Sequence, residues 1–192
     1  MPGLKIRQGI YYLYWRSKLQ RQFTFTWKKS IINQLEAALG ETLQLLSSFD
    51  EKEMNTVPFE GSWTAAQVCR HLYKSEKGMD ELFYAPAKPA DRNPAERAEN
   101  FKELFLNFDT KMKSPDFIAP EDKHYEKKEL EGSLEEAKDK MLEAAQNVNL
   151  AEMAALPDEH PLKGSTKLEM IYFVTYHTMR HNHQLKKIRE KI

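Results

Sequence analysis

Apolar side chains recur at helical spacing in four long stretches of this chain, with polar residues filling the positions between. The first stretch runs from about Lys28 to Asp50, carrying Ile31, Ile32, Leu35, Ala38, Leu39, Leu43, Leu45 and Leu46. Asn55 to Gly61, with Pro58 inside it, reads as a loop. A second helix opens at Trp63-Thr64-Ala65-Ala66-Gln67-Val68. There Thr64 can cap, Gln67 completes a capping box, and Trp63 with Val68 can form a hydrophobic staple. This helix is expected to continue to about Tyr84, ahead of Pro86 and Pro89.

Asp91 to Asp109 predicts a shorter helix entered through Asn93-Pro94, and Lys113 to Leu130, proline-broken and charged, predicts an extended or irregular crossover. A third long helix is expected to start at Ser133, with Glu136 as its box partner, and to end near Leu156-Pro157. Thr166 and Glu169 form another box at the head of the last helix. That helix runs to the C-terminus, where Lys186, Lys187 and Arg189 suit its negative end. No strand pair, internal repeat or low-complexity tract stands out. The pattern therefore predicts an all-α fold, an antiparallel bundle with one or more long connections.

Composition narrows the class without changing that picture. The 192 residues suggest one domain, and 41% hydrophobic with 30% charged residues describes a globular chain. Lys and Arg number 29, as do Asp and Glu, so no overall charge favours nucleic acid as a partner. Cys69 is the single cysteine; it excludes a disulfide within the chain and fits a reducing, cytoplasmic compartment. No apolar run approaches the roughly 20 residues that span a bilayer.

The neutral total hides an asymmetry. Residues 1–29 hold Lys5, Arg7, Arg16, Lys18, Arg21, Lys28 and Lys29 and no acid, leaving 22 basic against 29 acidic residues elsewhere, a formal charge of −7. The same stretch is aromatic, with Tyr11, Tyr12, Tyr14, Trp15, Phe23, Phe25 and Trp27. A secretory signal is not expected, because the apolar stretch Ile10 to Trp15 is short and no small-residue cleavage site follows. Residues 1–27 are thus set apart as a basic aromatic leader. It reads as an arm for phosphates or anionic lipid, a transit-like segment, or an appendage without a role, such as a start codon set too far upstream. Residues 28–192 form the expected bundle domain.

Of the six histidines, His124 and His160 fall in predicted loops as solvated residues, and His183 sits among Arg180, Lys186 and Lys187 as a surface residue. At about 100° per residue, His177 and His181 lie about 40° apart on one helix face. Gln184 joins them, and so do the apolar Met170, Phe173, Val174, Leu185 and Ile188. Imidazoles on a core stripe need hydrogen bonds or a metal. A third ligand could come from His71, beside Val68 and Leu72 on the second helix. Three imidazoles leave coordination positions free, the pattern of catalytic rather than structural sites. The spacing alone is equally compatible with histidines satisfied by neighbouring carboxylates or carbonyls. Glu76 and Asp80 follow His71 as solvated charges or as a base, and Cys69 points to another face.

These motifs resemble the DinB/YfiT-like family. Its second helix opens with tryptophan followed by Ser or Thr, with a His-Leu pair about two turns later; here these are Trp63-Thr64 and His71-Leu72. Its last helix carries histidines four apart and a Gln three residues on, matched by His177, His181 and Gln184. Pro161 to Glu169 looks like the family's glycine-containing approach, and Pro115-Asp116 with Ile118-Ala119-Pro120 resembles the crossover of one branch. Ala65 stands where the family often has proline, and either residue suits a first helical turn.

The resemblance spans about residues 28–192. It implies a four-helix bundle of up-down-down-up type with a long crossover carrying a short extra helix, commonly as a homodimer. It also implies a divalent metal on His71, His177 and His181, zinc or nickel first, with iron or manganese also compatible. Gln184 would orient a histidine, contact substrate or end a hydrogen-bond network. The chemistry implied is that of a hydrolase, or of an S-transferase using a low-molecular-weight thiol as cosubstrate, acting on an unidentified small molecule. The competing class is a non-catalytic helical module with structural histidines, acting in dimerisation or partner binding. DNA binding ranks below both, because the bundle is acidic and shows no recognition helix.

Overall fold

The computed structural model describes residues 28–192, so the leader expected over residues 1–27 lies outside the described residues. The described chain is mostly helical with one small sheet. In order, it comprises α1 (28–47), α2 (Glu51–Met54), α3 (Ala65–Glu76), α4 (Met79–Tyr84), β1 (Ala87–Pro89) and α5 (Ala98–Leu106). A 3-10 turn (Asp116–Ile118), α6 (Lys127–Asn147), β2 (Glu152–Ala154) and α7 (Lys167–Arg189) follow. Helix α7 packs on α3 and α5, and α6 packs on α3 and α4. Among the described residues no helix is long and apolar enough to cross a membrane.

Two of the expected capping boxes form. Thr64 accepts from the Gln67 N–H while Gln67 accepts from Thr64, and Thr166 and Glu169 exchange the same pair of bonds. The second helix breaks where the pattern predicts continuity: α3 ends at Glu76, and Gly78, at φ +80°, turns the chain left-handed into α4. The helix expected over Asp91–Asp109 is confined to Ala98–Leu106, with turns before it.

Helix α6 departs furthest from expectation. It starts at Lys127, not Ser133, because its N-terminus is closed by another segment. Glu51 of α2 accepts from the Lys127 N–H at 3.1 Å, doing in space what a capping residue does in sequence. It ends at Asn147, well before Leu156, where Lys28 donates to the Gln146 and Val148 carbonyls at 2.8 and 2.9 Å. The chain freed by that early end forms β2, which pairs antiparallel with β1. Ala87, Lys88 and Pro89 face Ala154, Met153 and Glu152, and the absence of a strand pair expected from sequence is corrected. Strands of three residues are too short for alternation to show.

The apolar core is divided in two. One cluster joins Leu35 and Leu39 of α1 to Phe83, Met141, Leu168, Ile171 and Val174; the other joins Leu46 and Phe49 to Val68, Leu72, Leu134, Leu185 and Ile188. Between them runs a buried polar layer of Thr42, Glu76, Thr175, His177, Thr178, His181 and Asn182. Thr42 donates to the Asn182 side-chain oxygen Oδ1 at 2.7 Å, and the Asn182 side-chain amide donates to the Ala38 backbone carbonyl at 2.8 Å, tying α1 to α7.

The head of α7 is fixed by a buried ion pair. Glu169 is fully buried and receives Arg92 through two bonds of 2.6 Å, with the Arg97 N–H at 2.8 Å. Burial pushes its carboxyl up, but Arg92 and the backbone donors hold it below its ordinary value. Glu169→Ala leaves the Arg92 guanidinium unpaired in a partly enclosed site, and we expect a loss of about 3 kcal/mol, read as a lower urea midpoint at unchanged m.

Candidate metal centre

Three imidazoles from α3 and α7 converge in the polar layer. The Nε2 atom of His177 lies 3.1 Å from Nε2 of His71 and 3.2 Å from Nε2 of His181. All three residues are buried, at 2%, 7% and 9% exposure for His71, His177 and His181. Helix α7 brings His177 and His181 onto one face a turn apart, as their spacing predicts, and the packing of α3 against α7 delivers His71.

Hydrogen bonds on the opposite ring nitrogens decide which protons are present. His71 Nδ1 is 3.1 Å from the Ile118 carbonyl oxygen, which can only accept, so Nδ1 carries the proton and Nε2 is a lone pair. His181 Nδ1 is 2.9 Å from Oε1 of Gln184, giving it the same tautomer. His177 Nε2 can donate to one of these lone pairs but not to both. At least one acceptor is therefore left facing another nitrogen inside the core, an arrangement that a shared cation satisfies. Two nitrogens bound to one ion at about 2.1 Å, at right to tetrahedral angles, sit about 3.0 to 3.4 Å apart. The observed spacings lie in that range, and the three side chains can hold a metal ion.

The surroundings keep the imidazoles neutral. Burial, then the neighbouring His181 and His71, holds His177 well below its ordinary value. Burial lowers His181 to about 3 and also lowers His71. Phe173 stacks on the His177 ring at 5.5 Å, Phe105 meets its edge at 5.3 Å, and Trp63 lies 5.2 Å from His71. Trp63 also lines a surface cleft of about 580 Å³, which His71, His177 and His181 do not line. Phe173 was visible as the residue one turn before His177. Phe105 and the Ile118 carbonyl carry no local signal and arrive through tertiary packing.

The remaining candidates fall elsewhere. Glu76 is buried, not solvated: it faces α7, where Thr178 donates to it at 3.2 Å, and burial pushes its carboxyl up to about 8. Asp80 is half-buried on α4. Cys69 is wholly buried, and burial raises its thiol far above the reactive range. His183 is half-buried, not a surface residue: Phe108 stacks on it with centroids 4.0 Å apart. Arg180 draws that segment over, donating to the Phe105, Asn107 and Thr110 carbonyls. His124 is exposed beside Glu51 and Glu126, whereas His160 is half-buried and accepts from the Leu162 N–H.

The mostly helical fold is consistent with comparison to known proteins. The family model described as the DinB superfamily matches residues 34–185, and the chain belongs to that superfamily. It is similar to an uncharacterized protein of Bacillus subtilis (strain 168), YuaE, at 24% identity over 168 residues, covering 85% of this chain and 98% of that protein. No solved structure matches.

Neutral burial makes the metal-free protein acid-sensitive. The unfolded chain takes up protons on these histidines below about pH 6.5 while the folded chain resists them, so stability present at neutral pH falls as pH drops. Glu76 works in the opposite sense, because its folded carboxyl keeps a proton that the unfolded chain releases, but the histidines outnumber it. Between pH 7 and pH 5 the urea stability of the metal-free protein is expected to fall by about 1 to 3 kcal/mol. A flat profile would contradict the neutral, buried state of the histidines.

Proposed function

We propose that this chain is a metal-dependent enzyme with His71, His177 and His181 as ligands of one divalent ion. The observation that carries this reading is the meeting of three Nε2 atoms, two of them fixed as lone pairs by bonds on their Nδ1 atoms. A histidine cluster built only for packing would be expected to pair each lone pair with a donor, and here the count of donors falls short. Zinc or nickel suits three neutral imidazoles, and iron or manganese is compatible.

Such an ion supplies Lewis acidity, lowering the pKa of a water or small thiol placed beside it. The chain's own residues do the rest. Gln184 and the Ile118 carbonyl hold two rings in the ligating tautomer, and Phe105, Phe173 and Trp63 limit water around them. The substrate would be a small molecule. Attack by water gives a hydrolase, and attack by a low-molecular-weight thiol gives an S-transferase. The two are separated by whether turnover of esters, amides or electrophiles requires added thiol.

Residues 28–192 act as one domain, with the long helices in the up-down-down-up bundle of the family, working in the cytoplasm as a homodimer. In the alternative, a non-catalytic module in dimerisation or partner binding, the same histidines would be structural.

Metal content measured by inductively coupled plasma mass spectrometry on untagged protein tests the site. The wild type is expected to carry close to one divalent ion per chain, and His71→Ala and His177→Ala to lose it while keeping their helical circular dichroism. Gln184→Ala, which retains all three ligands, is expected to bind about 10-fold more weakly. Wild-type protein that takes up neither zinc nor nickel would overturn the metal reading.

A further inference from the structure

His71 differs from the other two candidate ligands in what holds it. His177 and His181 share one helix, and Gln184 on the same helix orients His181. The Nδ1 atom of His71 instead reaches into the crossover between α5 and α6, to the Ile118 carbonyl at 3.1 Å, with Ser114 Oγ at 3.4 Å. Regular structure in that crossover amounts to the single 3-10 turn Asp116–Ile118, so its position must come from side chains.

The bonds that supply it begin one residue before His71, at Arg70, and three residues after it, at Lys74. Lys74 donates to the Ala119 carbonyl at 2.6 Å and to Glu121 at 3.2 Å, and Arg70 donates to Glu121 at 3.1 Å. The Tyr125 hydroxyl completes the arrangement, 2.9 Å from both the side chain and the backbone oxygen of Glu121. One carboxylate thus gathers two cations from α3 and a hydroxyl from the crossover's far end. These contacts hold the chain immediately after Ile118, whose carbonyl sets the His71 tautomer.

We propose that Glu121 is a positioning residue for the metal centre: it latches the crossover onto α3, and through Ile118 it orients His71. Metal binding and docking of the crossover are then one linked equilibrium. By reciprocity, an ion on the three histidines tightens the crossover by the same factor that a docked crossover tightens the ion. The inference rests on the metal reading above and adds a determinant of affinity more than a turn of chain away from any ligand.

The test uses the full chain with zinc as the probe. Zinc affinity is measured by competition with a chromophoric chelator, and crossover docking by the rate of tryptic cleavage at the exposed Lys111 and Lys113. Glu121→Gln is expected to weaken zinc binding about 10-fold with helical circular dichroism unchanged. Zinc is expected to slow cleavage in the wild type and to protect the variant less. Glu136→Gln, which removes the exposed ion pair to Lys140 on α6, serves as control and should match the wild type in both readouts. Wild-type affinity in Glu121→Gln, or equal loss in both variants, overturns the latch and leaves the metal reading standing. Failure of the wild type to bind either zinc or nickel removes both.

Discussion

Three ring nitrogens that would otherwise repel or starve one another for protons sit at the middle of this molecule, and much of the structure can be read as what it takes to hold them there. A buried imidazole without a partner costs free energy on the order of a lost hydrogen bond, and three facing inward multiply that cost. The fold meets it by splitting the core. Apolar clusters above and below carry the burial, and the polar layer between them is satisfied residue by residue. Thr175 bonds the Ile171 carbonyl of its own helix, Thr178 bonds Glu76, and Asn182 bonds Thr42 and Ala38. Within that layer the histidine triad lacks enough donors.

Helix α7 concentrates this problem. Its buried face changes from apolar at Val174 to polar over Thr175–Asn182 and back to apolar at Leu185. Its N-terminus is anchored by Glu169 and Arg92, and its C-terminal turn by Arg189, which pairs with Glu53 through bonds of 2.7 and 2.9 Å. Between these anchors the histidines can be held at fixed depth without packing energy of their own. The aromatic rings on His177 raise the penalty for charging it and, by the same burial, keep it in the form that ligates.

Reading the sequence alone recovers what is encoded locally. The capping boxes at Thr64 and Thr166 were visible because both partners lie three residues apart, and His177, His181 and Gln184 because helical spacing puts them on one face. The limits of α6 were not visible, because its N-terminal N–H is met by Glu51 and its last carbonyls by Lys28, each more than 70 positions away in the chain. Ser133 and Glu136 made a plausible false start inside a helix already under way. The burial of Glu76 and the partial cover of His183 were missed for a related reason: charge in the flanking sequence suggested solvent, whereas Thr178 of α7 meets the first and Phe108 stacks on the second. The helices and the facing pair His177 and His181 were legible; His71 was legible as a third candidate from its place beside Val68 and Leu72, whereas the groups around the three rings come from tertiary contacts.

The borrowed ends of α6 have a consequence for how the molecule comes apart. A helix that supplies its own caps frays from its tips while the rest of the protein stays folded. Helix α6 has no such freedom at either end, because loosening its first N–H releases α2 and loosening its last carbonyls releases the start of α1. Its termini are therefore coupled to the segments that flank α1, and fluctuations that open α6 also unseat the helix carrying Thr42 against Asn182. The polar layer is guarded by a helix that contributes no side chain to the histidine cluster, and the integrity of that cluster is distributed over most of the chain.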